Sequence, residues 1–588
     1  MIGQESGAAQ WLRESRWEMM IACGCLEMSE VRWALPSKRV DSRAWQSEAP
    51  EQWTRFSVFF AHHNPMHMKN RMIVPCLLFV SLSSTAQVSG DPDLTFSGDG
   101  VAAIDFASNH DDRGSCILVQ PDGRILVGGG SHQGNGTKFG LARLMPDGTL
   151  DATFGSAGRV ATQVGAPPSL DETFYALALQ PDGKIVAVGR SYAGTGYRAA
   201  VLRYNSNGTL DPTFSSDGIQ VDDLAPGTDD GYFGVAIQPD GRIVVAGVAK
   251  GTVDYDAVVV RYTAAGALDA TFNTTGIAKL DIGAVDNRAS AMVLQPDGKI
   301  VIAGQTGNAS IDSDYLLARF TADGQLDATF GTNGTVVSAF GPSTDWAYAL
   351  ALQPDGRLVA AGMVINGTAA SLAVARYTTA GALDPSFGTA GLALNEFSAS
   401  CFARSVALLQ DGRIAAVGNS ALSMFVTVFT AIGTLDTGFS SDGSTIVNVG
   451  GGNAFGYAVA VQADGKLLAG GQAVQGGAQN NYIVARFHAG VNIGLDEIAV
   501  NATALQLLPN PADDALELRY ALKRGERITI TVVDAQGRAV RIPFNGAWQA
   551  PGEQRLRISL REISSPGAYT IVVAGEQGVL GSARFVRE

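Results

Sequence analysis

The stretch LALQPDGRLVAAG, Leu350–Gly362, reads as one β-hairpin. Two apolar runs flank Pro354-Asp355-Gly356. Pro fixes φ, Asp can hydrogen-bond to neighbouring backbone, and Gly tolerates the left-handed φ that closes a short hairpin. The same hairpin recurs along the chain. Its turn glycines are Gly123, Gly183, Gly241, Gly298, Gly356, Gly412 and Gly465, at spacings of 60, 58, 57, 58, 56 and 53 residues. A period of this length marks a repeat architecture.

A second marker recurs out of phase with the first. It is an Asp-x-Thr-Phe-like turn at Asp93–Phe96, Asp151–Phe154, Asp211–Phe214, Asp269–Phe272, Asp327–Phe330, Asp384–Phe387 and Asp436–Phe439. Each unit therefore reads as four short strands. One follows the Asp-x-Thr-Phe turn (Gly100–Phe106), one enters Pro-Asp-Gly (Ala291–Gln295), one leaves it (Lys299–Ala303), and one carries an Arg (Leu316–Phe320). The two strands of the hairpin are almost wholly apolar, so both of their faces are buried. Seven such repeats of about 57 residues predict an all-β, seven-bladed β-propeller over residues 91–490. A solenoid or open array of the same strands is the rival architecture. Two assignments of the first strand fit the sequence. Either the blade equals the repeat, or the strand at Val101–Phe106 joins the strands near Gly465 and clasps the ring.

Composition agrees with short strands and tight turns: 70 of 588 residues are Gly and only 17% are charged. The net charge of −14 resides in the repeats. Residues 1–86 carry 9 basic and 8 acidic side chains, residues 87–494 carry 22 and 37, and residues 495–588 carry 11 and 11. Such a balance argues against a nucleic-acid partner, whose phosphates need a positive face. Cys116 and Cys401 fall in different repeats and read as small buried apolar residues rather than a disulfide.

Met68 opens MKNRMIVPCLLFVSLSSTAQ. A basic start at Lys69 and Arg71, an apolar run over Met72–Leu82 and small residues at Ser84-Thr85-Ala86 make residues 68–86 a secretory signal peptide, with cleavage expected between Ala86 and Gln87. The run is too short to span a bilayer, so no transmembrane segment is expected in the mature chain. Residues 1–67 hold five of the seven Trp and three of the six His. That foreign composition reads as an unstructured extension arising from an upstream start-site assignment. A peptide from residues 1–60 in the native protein would overturn this.

Two charges recur at fixed places. The fourth strand carries Arg143, Arg203, Arg261, Arg319, Arg376 and Arg486. The loop entering the hairpin carries Asp112, Asp171 or Glu172, Asp230, Asp286 and Asp345. Unit six has Val428 and Cys401 at these places, and unit seven keeps Arg486 with only Asn453 opposite. The first expectation is a structural Arg–carboxylate pair in each blade, suited to bidentate geometry. The second is a ring of carboxylates binding Ca²⁺ or a cationic ligand. The SGDG and SSDG segments at Ser97, Ser215 and Ser440 offer too few oxygens for calcium and read as turns. After Ala86 only His110, His132 and His488 remain, without metal-ligand spacing. Neither a nucleophile elbow nor a phosphate loop is present, so no catalytic or cofactor-binding residue is assigned.

The repeats, with ALQPDGKIVVAG-like hairpins followed by LARYTxxGxLDxTFG, resemble the delta-60 repeat family from Asp91 to about Gly490. That resemblance supports the fold rather than an activity. Beyond it, residues 495–588 change pattern. Pro509-Asn510-Pro511 is a rigid turn, Asp534–Arg538 is a hairpin turn, and alternating strands run over Ala515–Tyr520, Arg527–Val533, Arg555–Leu560, Ala568–Val573 and Ser582–Val586. These predict a small C-terminal β-sandwich. Pro509-Asn510-Pro511, ITVVDAQGRAV from Ile530, ISLREISSPGAYTIVV from Ile558 and the closing ARFVRE resemble the type A sorting domain of the Bacteroidetes type IX secretion system. The resemblance implies type IX machinery as a partner, a secreted or cell-surface destination, and removal of the module with attachment to the surface. The expected role is a noncatalytic binding or scaffold module for a glycan or protein. The alternative is a secreted polysaccharide hydrolase or lyase using carboxylates on the propeller face.

Overall fold

The computed structural model describes residues 89–490 and 505–587. Short breaks fall at 107–109, 135, 166–169, 226–228, 284, 309–311, 367–368, 398, 448, 450–451 and 475–478, and at 509–511, 513, 523–524, 534–538, 562, 564–566 and 576–577. The leader, the signal peptide with its Ala86/Gln87 cleavage, the Pro509-Asn510-Pro511 turn and the Asp534–Arg538 turn lie outside the described residues.

The hairpin at Leu350–Gly362 forms as its turn chemistry dictates. Asp345–Leu352 pairs antiparallel with Leu358–Ile365. Gly356 has φ +85°. The Gly356 N–H donates to Gln353 O at 2.9 Å, and the Arg357 N–H donates to Asp355 Oδ1 at 3.0 Å. Ala370–Tyr377 and then Leu392–Asn395 complete a four-stranded antiparallel sheet. Seven such sheets follow one another, and the first carries a short fifth strand, Leu170–Asp171. The chain is a seven-bladed β-propeller.

Ring closure settles the assignment of the first strand. Val101–Ile104 pairs antiparallel with Asn480–Phe487, so the earliest strand completes the last blade. The blade is thus out of phase with the repeat. The innermost strands, from Asp112–Val119 round to Ala454–Val461, each pack against the next, and the last returns to the first. Apolar clusters lie between adjacent blades, as where Val301, Leu317 and Phe330 meet Leu358 and Ala375. Cys116 and Cys401 are buried free thiols inside such clusters.

The second described part is a β-sandwich. A three-stranded sheet holds Gln506–Leu508, Ala515–Leu522 and Gly552–Ser559, and a four-stranded sheet holds Ala539–Gln549, Glu526–Val533, Gly567–Gly575 and Gly578–Arg587. Leu516, Leu518 and Ile558 from the first sheet and Ile528, Ile530 and Ile571 from the second share one core. Alternation reveals most of these strands. Gln506–Leu508 and the long Ala539–Gln549 were not expected, because one is short and the other is interrupted by Pro543 and Gly546.

Candidate functional site: the central channel

Each innermost strand has a β-bulge at the same register, eight residues before its turn glycine. A bulge inserts one unpaired residue and re-aims its side chain. The bulged residues are Ser115, Tyr175, Phe233, Ser290, Tyr348, Arg404 and Tyr457, and all seven line a central cavity of about 680 Å³. The partner strand must yield room for the bulge. A Cβ added at Gly362 would lie 1.8 Å from Trp346 O, and one at Gly304 would lie 1.8 Å from Arg288 O. No side chain fits there, which explains the glycine that recurs six residues after each turn glycine.

The cavity walls are aromatic and cationic. Trp346 and Tyr348 stack at 5.0 Å, and Tyr175 and Phe233 meet at 4.8 Å. The Arg404 guanidinium lies 4.4 Å from the Tyr348 ring centre and 4.8 Å from that of Phe402. Arg190 and Arg288 stack on Tyr197 and Tyr255, at 3.8 and 3.7 Å. Asp171 and Asp229 accept hydrogen bonds from the phenols of Tyr197 and Tyr255. Burial first, and then these hydrogen bonds, push both phenols up to about 12, so neither is ionised at neutral pH.

The two recurrent charges of the sequence do not meet. Each strand-four Arg instead pairs with the Asp of the Asp-x-Thr-Phe turn eight residues on. Nε lies 2.7–2.8 Å from the carboxylate in Arg143–Asp151, Arg203–Asp211, Arg261–Asp269, Arg319–Asp327 and Arg376–Asp384, and Arg486 reaches Asp93 in the same way across the closure. The same guanidinium covers the turn Phe and donates to a backbone carbonyl of the following blade, as Arg319 does over Phe330 and to Thr379 O. The pair is therefore an inter-blade staple. Unit six supplies its cation from the hairpin instead: Arg413 reaches Asp436 at 2.7 Å and Ala489 O at 2.9 Å.

The expected partners of those arginines have another task. Asp112 accepts from Phe106 N and His132 N, Asp230 from Leu224 N and Lys250 N, and Asp345 from Phe340, Gly341 and Ile365 N. Glu172 holds Val164 and Gly165 N in the same way. They tie loops down around the ring. Burial, opposed by those donors, pushes Asp112 up to about 6 and raises Asp230 and Asp345. Asp286 falls one residue out of this register, which Asn287 fills, and contacts Tyr255 N and Arg288. Among the described residues no group of three or more His, Cys, Asp or Glu is placed to hold a metal ion. The SGDG and SSDG segments are Asx turns, with Asp99, Asp217 and Asp442 each accepting from the backbone two residues on. The fold does bring two scattered histidines together, His110 and His132, with ring centres 5.0 Å apart.

A closed ring of bulged inner strands around an aromatic, arginine-bearing channel defines a β-propeller with a central site. Family models agree with the fold. Residues 120–154, 180–214, 238–272, 295–330, 353–387 and 462–490 match "Domain of unknown function (DUF5122) beta-propeller", and residues 506–586 match "Secretion system C-terminal sorting domain". The chain is a β-propeller of these delta-60-type repeats carrying a type IX sorting domain. It is accordingly a secreted or outer-surface protein that engages the type IX machinery through that domain. No helix among the described residues is long and apolar enough to cross a membrane. Comparison with curated proteins finds no match. Among solved structures, an ulvan lyase bound to a GlcA(1-4)Rha3S unit is 10% identical at TM-score 0.38, covering 66% of this chain and 96% of its own. A fungal alcohol oxidase in complex with copper is 12% identical at 0.37, covering 83% and 98%. Sqt1 of Chaetomium thermophilum, bound to the N-terminus of the ribosomal protein L10, is 13% identical at 0.35, covering 66% and 99%. At such identities and scores the likeness says nothing about substrate or activity.

Proposed function

We propose that this protein is a noncatalytic binding module of the cell exterior whose ligand enters the central channel. The observation that carries this reading is the bulge register. The glycine opposite the bulge is the same in all seven blades, whereas the bulged residue runs Ser, Tyr, Phe, Ser, Tyr, Arg, Tyr. A constant scaffold thus presents a varied wall, and a concave cavity of this volume whose aromatic walls carry convergent charged groups is the usual form of a ligand site. The reading is further supported by the carboxylates at Asp112, Asp230 and Asp345, which are spent on backbone donors rather than offered to a substrate.

The hydrolase or lyase reading has one observation in its favour. Asp229 and Tyr255 meet at the channel mouth, with Arg190 3.7 Å from Asp229 and Arg288 over Tyr255. A phenol that donates to a carboxylate and titrates near 12 is poorly suited as a base. A polysaccharide and protein screen on the mature chain, with bound ligand and released product read together, separates the two. Binding without product is expected. Product formation lost in Tyr255→Phe would overturn the noncatalytic reading.

A further inference from the structure

Arg404 stands apart from the other two arginines that line the cavity: Arg190 lies 3.7 Å from Asp229 and Arg288 lies 3.0 Å from Asp286. The strand-four arginines and Arg413 all lie against a carboxylate, as do hairpin cations such as Arg357. Arg404 has no ion-pair partner among the described residues, and its Nε is buried without an acceptor. Yet it lies in a body with 37 acidic and 22 basic side chains. Arg404 is half-buried, and an acidic protein that leaves such a guanidinium without a carboxylate on a cavity wall leaves a donor fork that a planar oxyanion satisfies. Beside it is an aromatic stack: Trp346 and Tyr348 lie 5.0 Å apart with an interplanar angle of 21°, and Tyr348 lies 6.1 Å from Phe402. Tyr457 of the next blade lines the same cavity.

We propose that this sector binds a carboxylate-bearing saccharide. The inference rests on the channel being the ligand site. Arg404 receives the carboxylate bidentately. The outer surface of the Trp346–Tyr348 stack receives the C–H face of a pyranose ring, whose polarised hydrogens meet the negative face of the π-system. A cationic ligand is disfavoured, because Arg190, Arg288 and Arg404 all line the cavity. The two acids there are already engaged: Asp229 by Tyr255 and Arg190, and Asp230 by the Leu224 and Lys250 amides. A wholly apolar ligand would leave the Arg404 fork unsatisfied.

Calorimetric titration of the mature chain with trigalacturonate, and with its methyl ester, tests this. The ester keeps the rings and removes the charge. The acid is expected to bind at least tenfold more tightly than the ester, and more weakly as salt rises. Arg404→Gln should lower acid affinity at least tenfold and leave ester affinity unchanged, and Arg404→Lys should restore part of the loss. The guanidinium forms no ion pair among the described residues, so the melting temperature of each variant should stay near the parent's. Equal binding of acid and ester, or an Arg404→Gln variant that binds the acid as the parent does, would overturn the charge assignment while leaving the channel reading intact. Absence of binding by either trisaccharide would overturn the saccharide proposal. A peptide ligand that binds and is lost in Trp346→Ala would then preserve the channel as the site.

Discussion

Replacing Arg319 by methionine would remove the staple between two blades while keeping most of the apolar stem. Lost would be the 2.8 Å contact to Asp327, the 2.7 Å bond to Thr379 O in the next blade, the 3.1 Å bond to Thr329 and the stacking over Phe330. Breaking a buried ion pair by removing one partner costs about 3–5 kcal/mol. Here the figure belongs at the lower end, because Lys299 stays 3.3 Å from Asp327 and Thr329 still donates to it. About 3 kcal/mol is therefore expected, which lowers the melting temperature by about 5 °C, given that the shift per kcal/mol shrinks as the folding unit grows. Scanning calorimetry of the mature chain reads it. Two comparisons sharpen the test. The Arg357 side chain is 43% exposed, so Arg357→Gln should cost less than about 1 kcal/mol. Arg413 is the cation in contact with Asp436 and is 5% exposed, so Arg413→Gln should cost about as much as Arg319→Met. If Arg319→Met and Arg413→Gln both melt with the parent, the staple is not what fastens the blades.

Three further outcomes are expected. Gly362→Ala should fold poorly or lose on the order of 3 kcal/mol, because its Cβ would sit 1.8 Å from Trp346 O, whereas Gly470→Ala, with nothing nearer than 3.6 Å, should be tolerated. Soluble yield and melting temperature of the pair decide it. Acid should loosen the ring: at Asp151 burial opposes ionisation, but Thr153 and Arg143 outweigh it and hold the carboxyl at about 2. A carboxyl depressed below its unfolded value of 3.8 stabilises above that pH, and the contribution drains away as pH falls toward 2. Melting temperature followed from pH 7 down should fall in that window, and a flat profile below pH 4 would contradict the assignment. Asp112 has the opposite sign. Its folded value of about 6 lies above 3.8, so its contribution is whole below pH 4 and is lost as pH rises through 6, by about 3 kcal/mol. The melting difference between the parent and Asp112→Asn should therefore change between pH 4 and 6, and a constant difference would refute it.

The hairpin at Leu350–Gly362 is legible because turn chemistry is local: Pro354, Asp355 and Gly356 act within a few residues of themselves. The repeat count follows from the same markers. Which strand completes a blade is not local, because Val101–Ile104 finds its partner at Asn480–Phe487, at the far end of the ring. The arginine partners are hidden in the sequence for a related reason. Two acids recur once per repeat, and a period does not say which of them shares space with the Arg. The eight-residue step from Arg319 to Asp327 turns back on itself through the Thr321–Gln325 turn, where the Asp327 N–H donates to Arg319 O, and that compact path is the one the fold uses. The channel is hidden in the sequence because a bulge breaks the two-residue period that reveals strand faces. One signal did exist: eight residues before each turn glycine the side chain varies widely, beside a hairpin that barely changes.

The claim that the channel is the binding site is tested most directly by filling it. Ser115 is a small bulged residue on the channel wall. Ser115→Trp is expected to leave the melting temperature near the parent's and to abolish binding of whatever ligand the screen retrieves. Undiminished binding by a folded Ser115→Trp variant would contradict the account and place recognition elsewhere on the ring.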